Sequence, residues 1–183
     1  KELGIELPDE KDFSKNLVQF IKSLEYEGFQ FDGAEASFEL LLRKELGEYT
    51  PFFNITYVKT NVQFDEEGKD YTEAVLKVEV ANEVEHTAAD GNGPVSALDF
   101  ALRKALVRFY PDVEKNHLVD YKVRVLGSDN GTNSKVRVLV ESSDGEHTWS
   151  TVGVSENIIK ASLQALSDSL NYQLFGFKQN NTI

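Results

Sequence analysis

Between residues 8 and 28, Phe13, Leu17, Phe20, Ile21 and Leu24 recur at three- and four-residue spacing. That period predicts an amphipathic helix, with Gly28 as its C-terminal stop. Within 31–47, Phe38, Leu41, Leu42 and Leu46 trace a second helical stripe. Asp32 is placed as its N-cap, Glu35 as the capping-box partner three residues on, and Gly47 closes it. After Pro51 the period drops to two. Residues 53–64 are β-branched and aromatic and predict a strand, and 65–70 a turn. Ala74, Leu76, Val78 and Val80 alternate along 72–81 as in a half-buried strand, and 83–90 reads as a weaker third one. Gly91-Asn92-Gly93-Pro94 then opens a helix with an apolar face of Ala97, Leu98, Ala101, Leu102 and Ala105. Pro94 suits its first position.

The order repeats. Residues 117–126 predict a strand, 127–133 a loop, and 134–142 a strand with Val136, Val138 and Val140 alternating. Residues 146–154 predict the third strand, and Ser155 is placed as the cap of a helix facing inward with Ile158, Ile159, Ser162, Leu163, Leu166 and Leu170. Glu85-His86-Thr87 before the first long helix recurs as Glu146-His147-Thr148 before the second. The pattern therefore predicts an α+β fold. Two pseudo-symmetric βββα units, about 53–111 and 117–176, pack together in a domain of residues 53–183, behind a short helical linker subdomain of residues 1–52. A sheet covered by one helix leaves edges and apolar surface open, which favours pairing with a second copy as a homodimer.

Composition narrows the function. The chain of 183 residues carries a net charge of −12 and a sequence pI of about 4.7. Such a surface repels phosphate backbones and argues against nucleic acid and anionic membranes as partners. No apolar run has the length of a membrane span, and no signal peptide opens the chain. There is no cysteine, so disulfides and thiolate chemistry are excluded; this fits a reducing, cytoplasmic setting. The chain has no methionine and opens on Lys-Glu-Leu-Gly-Ile-Glu-Leu, as expected of a piece of a longer protein.

Two readings of Gly91-Asn92-Gly93-Pro94 stand side by side. The glycines either let backbone N–H groups approach an anion at a positive helix end or merely make a tight turn. Gly153-Val154-Ser155 occupies the same place in the second unit, so that two positive helix ends are available for a small carboxylate. His86 and His147 read as structural, since no second metal ligand stands at a recognisable spacing. His86 with Asp90 lacks a nucleophile or second acid for catalysis. Trp149 reads as a core or interface residue. Asp65, Glu66 and Glu67 read as a solvated hairpin tip, without a calcium-loop pattern. Tyr121 either packs in the core or stands over a ligand.

"GNGPVSALDFAL" and "GVSENIIKASLQALSDSLNY" resemble the two signature helices of the C-terminal regulatory region of the 2-isopropylmalate synthase and citramalate synthase family. The resemblance covers residues 53–176. The stretch "YEGFQFDGAEASFELLLRKELGEYTPFF" (26–53) is similar to the end of the linker subdomain of citramalate synthases. The resemblance implies a parent acyltransferase of branched-chain amino-acid biosynthesis that condenses acetyl-CoA with a 2-oxo acid. For a citramalate synthase that acid is pyruvate. Catalysis is then expected in a (β/α)₈ barrel with a divalent metal, which these residues do not match, so no cofactor and no catalytic residue are expected in this chain. Its implied work is dimerisation and feedback inhibition by the end-product amino acid, isoleucine, or leucine for the sister enzyme. A purely structural dimerisation domain remains the alternative. Carried over position by position, the implied effector site comprises Val95 and Ser96 after the glycine turn, Leu118, Tyr121 and Val125, then Thr132 and Ser134, and Ile158. Val95, Leu118, Val125 and Ile158 offer an apolar slot that Tyr121 can close. Gly93 and its neighbouring amides suit an α-carboxylate, and Asp90 and Asn92 an α-ammonium.

Overall fold

A computed structural model describes residues 5, 8, 11–64, 66–67, 70–127 and 134–180. The elements run α1 (Lys11–Glu27), α2 (Glu35–Glu45), β1 (Asn54–Phe64), β2 (Asp70–Val80), β3 (Glu83–Gly91), α3 (Pro94–Leu106), a 3-10 turn at Pro111–Lys115, β4 (His117–Leu126), β5 (Lys135–Ser143), β6 (Thr148–Ser155) and α4 (Ile158–Asn180). The strands form two three-stranded antiparallel sheets, β1-β2-β3 and β4-β5-β6, each followed by its helix. The fold is thus α+β with two βββα units.

Two compact units divide the chain. One contains 51–117, the 143–146 turn and residues from 173 on. Here the alternation of β2 is realised fully: Thr72, Ala74, Leu76, Val78 and Val80 are buried, while Tyr71, Glu73 and Lys77 are exposed. Ala97, Leu98, Ala101, Leu102 and Ala105 of α3 are fully buried, so the predicted apolar face closes this core. The β2–β3 hairpin turns on Ala81 and Asn82, both at positive φ. That turn follows the right-handed twist of the strands, at a conformational cost of roughly 1 kcal/mol for the alanine.

The other unit contains residues up to 50, 118–142 and 147–172. Helices α1 and α2 therefore share a body with β4–β6 and most of α4. At the end of α1, Gly28 sits at φ +111 and the Phe29 N–H reaches back to the Leu24 carbonyl at 3.0 Å, the C-terminal stop expected of it. Gly47 plays the same part for α2 at φ +72, with the Glu48 N–H on the Arg43 carbonyl at 2.8 Å.

Three local expectations are corrected. Asp32 does not cap α2: Ala34 is the N-cap position and no side chain bonds there, because a turn from Phe31 to Ala34 (N–H to carbonyl, 2.9 Å) leads the chain in. The buried face of α2 is Ala34, Ala36, Ser37, Leu40 and Leu42, while Phe38, Leu41 and Leu46 are only half-buried; small residues set the closest packing. Ser155 does not cap α4 either, since β6 continues through it.

Candidate functional site

The turn before α3 combines close packing with an open helix end. A Cβ on Gly91 would lie 2.8 Å from both Ala97 Cα and the Ser96 carbonyl carbon. Glycine here lets the end of β3 run directly against the start of α3. Gly93, the N-cap position, is extended and has free space around it, and no side chain caps the helix. The first intrahelical bond is the Ala97 N–H on the Gly93 carbonyl at 3.0 Å. Pro94 has no N–H, so the unsatisfied donors of this turn are the amides of Val95 and Ser96, at the positive end of the macrodipole.

The start of α4 differs. Asn157 Oδ1 accepts the N–H groups of Ile159 at 2.9 Å and Lys160 at 3.3 Å, and Ser155 Oγ accepts the Asn157 N–H at 3.2 Å. The expectation of two helix ends free for one carboxylate is therefore corrected: α4 is capped by its own asparagine, and α3 is open. The signal was present, for Asn157 stands immediately before the first apolar residue of the helix, the preferred N-cap place.

Beside the α3 start, a shallow groove crosses the sheet face opposite α3, lined among others by Asn61, Tyr71, Glu73, Asp90 and Gly91. Glu73 and Asp90 are direct cross-strand partners, so two carboxylates stand side by side and offer acceptors for a cation. Asn92 is exposed, and Val95 and Ser96 are half-buried. His86 is exposed, opposite Lys77.

In the β4–β6 unit, Tyr121 reaches α4: its hydroxyl lies 2.9 Å from Ser162 Oγ. Ser162 donates to the Ile158 carbonyl at 2.6 Å, so Tyr121 is the donor in their bond and keeps acceptor capacity. Strand alternation puts Val119, Val123 and Val125 on the face of Tyr121 and Leu118 on the other. These three valines are 41–63% exposed, and Ile158 is 43% exposed. This row forms an uncovered branched-chain flank on the edge strand. Ser134 Oγ donates to the Gly127 carbonyl at 3.2 Å, and Thr132 lies outside the described residues. Trp149 is buried, its indole N–H bonded to the Ser169 carbonyl at 3.1 Å and Oγ at 3.0 Å, as a core residue requires. Glu66 and Glu67 form an exposed turn, and Asp65 lies outside the described residues. Among the described residues no helix is long and apolar enough to cross a membrane.

Comparison with known proteins decides what this architecture belongs to. Residues 32–174 match the family model described as the LeuA allosteric (dimerisation) domain. The chain belongs to this family. It is 49% identical over 175 residues to the (R)-citramalate synthase of Geobacter sulfurreducens, covering 95% of this chain and 33% of that protein. It is 46% identical to the (R)-citramalate synthase of Aquifex aeolicus, with the same coverage. The 2-isopropylmalate synthase of Aquifex aeolicus is 37% identical over 98 residues, 54% of this chain and 17% of that protein. The chain spans about a third of the length of the citramalate synthases it matches. The first βββα unit, the turn before α3 and the second unit as far as residue 174 of α4 thus fall within the matched family region.

Proposed function

We propose that this chain is the feedback-regulatory and dimerising part of a citramalate synthase that condenses acetyl-CoA with pyruvate. Its effector is a branched-chain amino acid, isoleucine. The observation that carries the ligand reading is the start of α3, which no side chain caps, whereas Asn157 caps α4. Asp90 and Asn92, which flank Gly91 in that turn, are the proposed acceptors for an α-ammonium. Within the β4–β6 unit, Tyr121, Val125 and Ile158 are the proposed branched-chain contacts, while Leu118 stands on the other face of β4, and the exposed valine flank of β4 supports pairing with a second copy. The stronger match to citramalate synthases than to 2-isopropylmalate synthases supports isoleucine over leucine.

Thermal-shift measurements with isoleucine, leucine, valine and lysine test the reading. A ligand bound only by the folded state stabilises it by about 2.7 kcal/mol at a hundredfold excess over Kd. For a chain of this size that is roughly 5–10 °C. Isoleucine gives the largest shift, and Tyr121→Ala removes most of it. If leucine alone stabilises the chain, the parent is a 2-isopropylmalate synthase. If none of the four does, the domain is a structural dimerisation module.

A further inference from the structure

Tyr121 is held at both ends. At the backbone, its N–H donates to Asp120 Oδ1 at 2.9 Å. At the far end of the ring, its hydroxyl lies 2.9 Å from Ser162 Oγ, and Ser162 is fully buried on α4. A serine hydroxyl has one proton, and Ser162 spends it on the Ile158 carbonyl at 2.6 Å. The proton between the two hydroxyls is therefore that of Tyr121. Tyr121 has no O–H left to donate to a ligand, and what it adds to the valine flank is its ring. The carbonyl that anchors this chain of bonds belongs to Ile158, which itself stands 43% exposed at the start of α4. Without the tether, a tyrosine on an edge strand has more than one staggered rotamer open to it. The residues sharing its face, Val119, Val123 and Val125, are 41–63% exposed. They leave room for the ring to swing, and their packing alone does not fix it.

We propose that Ser162 is a positioning residue of the effector site: it pins the Tyr121 ring, so that the branched side chain of the effector meets a wall already in place. The proposal rests on the effector reading and adds to it a residue that, being fully buried, acts only through Tyr121. A ring free to swing must be ordered when the ligand arrives. Ordering one such side chain weakens binding about three- to tenfold.

The test is a double-mutant cycle on the whole chain, with isoleucine titrated calorimetrically into folded protein. Ser162→Ala and Tyr121→Phe break the tether from opposite sides, and neither removes the ring. Each weakens the isoleucine Kd about three- to tenfold. The double variant binds no more weakly than the poorer of the two, because the same bond is broken twice. Three-bond NMR couplings of Tyr121 in the ligand-free protein report one side-chain rotamer in the parent and averaging in Ser162→Ala. A bond that only stabilises the fold lowers the unfolding midpoint and leaves both the Kd of the folded protein and the rotamer where they are. An unchanged Kd in Ser162→Ala, or single effects that multiply in the double variant, overturns the positioning role even while the parent binds isoleucine. If the parent binds no branched-chain amino acid, the effector reading falls and this proposal falls with it.

Discussion

Alanine at Gly91 or Gly153 places a methyl group inside the backbone of a helix. A Cβ on Gly153 would lie 2.9 Å from the Ala161 carbonyl carbon and 3.1 Å from the Ala165 nitrogen of α4, and nearer still to the Ala161 oxygen. On Gly91 it would lie 2.8 Å from Ala97 Cα of α3. Favourable carbon contacts begin at roughly 3.5 Å, so each helix must retreat by several tenths of an ångström. The obstructing atoms are backbone, and no rotamer change relieves them. Overpacking of this kind costs about 1–3 kcal/mol. Neither glycine has positive φ, so alanine adds no backbone strain and regains about 0.4–1 kcal/mol by restricting the unfolded chain. The net loss is about 1–2 kcal/mol, or roughly 2–8 °C in Tm for a chain of this size. Gly176 is the matched control. It lies within α4, and a Cβ there meets nothing within 4 Å, so Gly176→Ala stabilises by about 0.5–1 kcal/mol. Thermal and urea unfolding of the three variants decide the matter. If Gly91→Ala and Gly153→Ala unfold within a degree of the parent, or Gly176→Ala falls as far as they do, close strand–helix contact is not what these glycines provide.

Two further substitutions probe polar groups in the β1–β3 unit. Thr87 Oγ1 is buried with no hydrogen-bond partner, so Thr87→Val removes an uncompensated desolvation and raises unfolding free energy by about 1 kcal/mol; a loss of stability in urea titration contradicts this. Asp99 is 6% exposed and its carboxylate takes Arg103 Nη2 at 2.8 Å and Nε at 3.2 Å. Arg103→Met strands that charge and costs about 3 kcal/mol at neutral pH. Burial already holds the Asp99 carboxyl above the usual range, so the loss shrinks as pH falls and the stranded acid takes up a proton. A defect that is constant from pH 7.5 to 4.5 refutes the assignment.

What the sequence made legible is what local period encodes. The alternation of Ala74 to Val80 and the helical stripe from Ala97 to Ala105 map onto fully buried faces, because each follows from one element meeting one core. The face of α2 was misread: hydrophobic size picked Phe38, Leu41 and Leu46, whereas packing distance picked Ala36 and Ser37. Ser37 is chosen by Asp168, 131 positions away, and no spacing rule reaches that far. The helix caps failed for a related reason. Asp32 and Ser155 have the right side chains, but a turn and a continuing strand occupy their places, and backbone path decides which of several capable residues caps.

The two repeats share their architecture and differ in how each long helix begins, and that difference predicts a separable variant. Asn157 gives α4 an oxygen on its first free amides, whereas Gly93 leaves those of α3 bare. Gly93→Asn copies the α4 arrangement into α3. The position is extended, as N-caps are, and a Cβ there meets nothing within 4 Å, so the substitution carries no strain. Capping satisfies an orphan donor, and relative to glycine it is worth only a few tenths of a kcal/mol; Tm therefore stays level or rises slightly. The same oxygen occupies the amides assigned to the effector carboxylate. A ligand that must displace it loses a charge-assisted contact, worth about 1.5–3 kcal/mol, or roughly a ten- to hundredfold weaker Kd. At a hundredfold excess over the parent Kd, the isoleucine-induced stabilisation then falls from about 2.7 to about 0.4–1.4 kcal/mol, in a protein no less stable without ligand. This result distinguishes loss of the site from loss of the fold, which Gly91→Ala cannot do. If Gly93→Asn responds to isoleucine as the parent does, the carboxylate is bound elsewhere and the open start of α3 is only a turn.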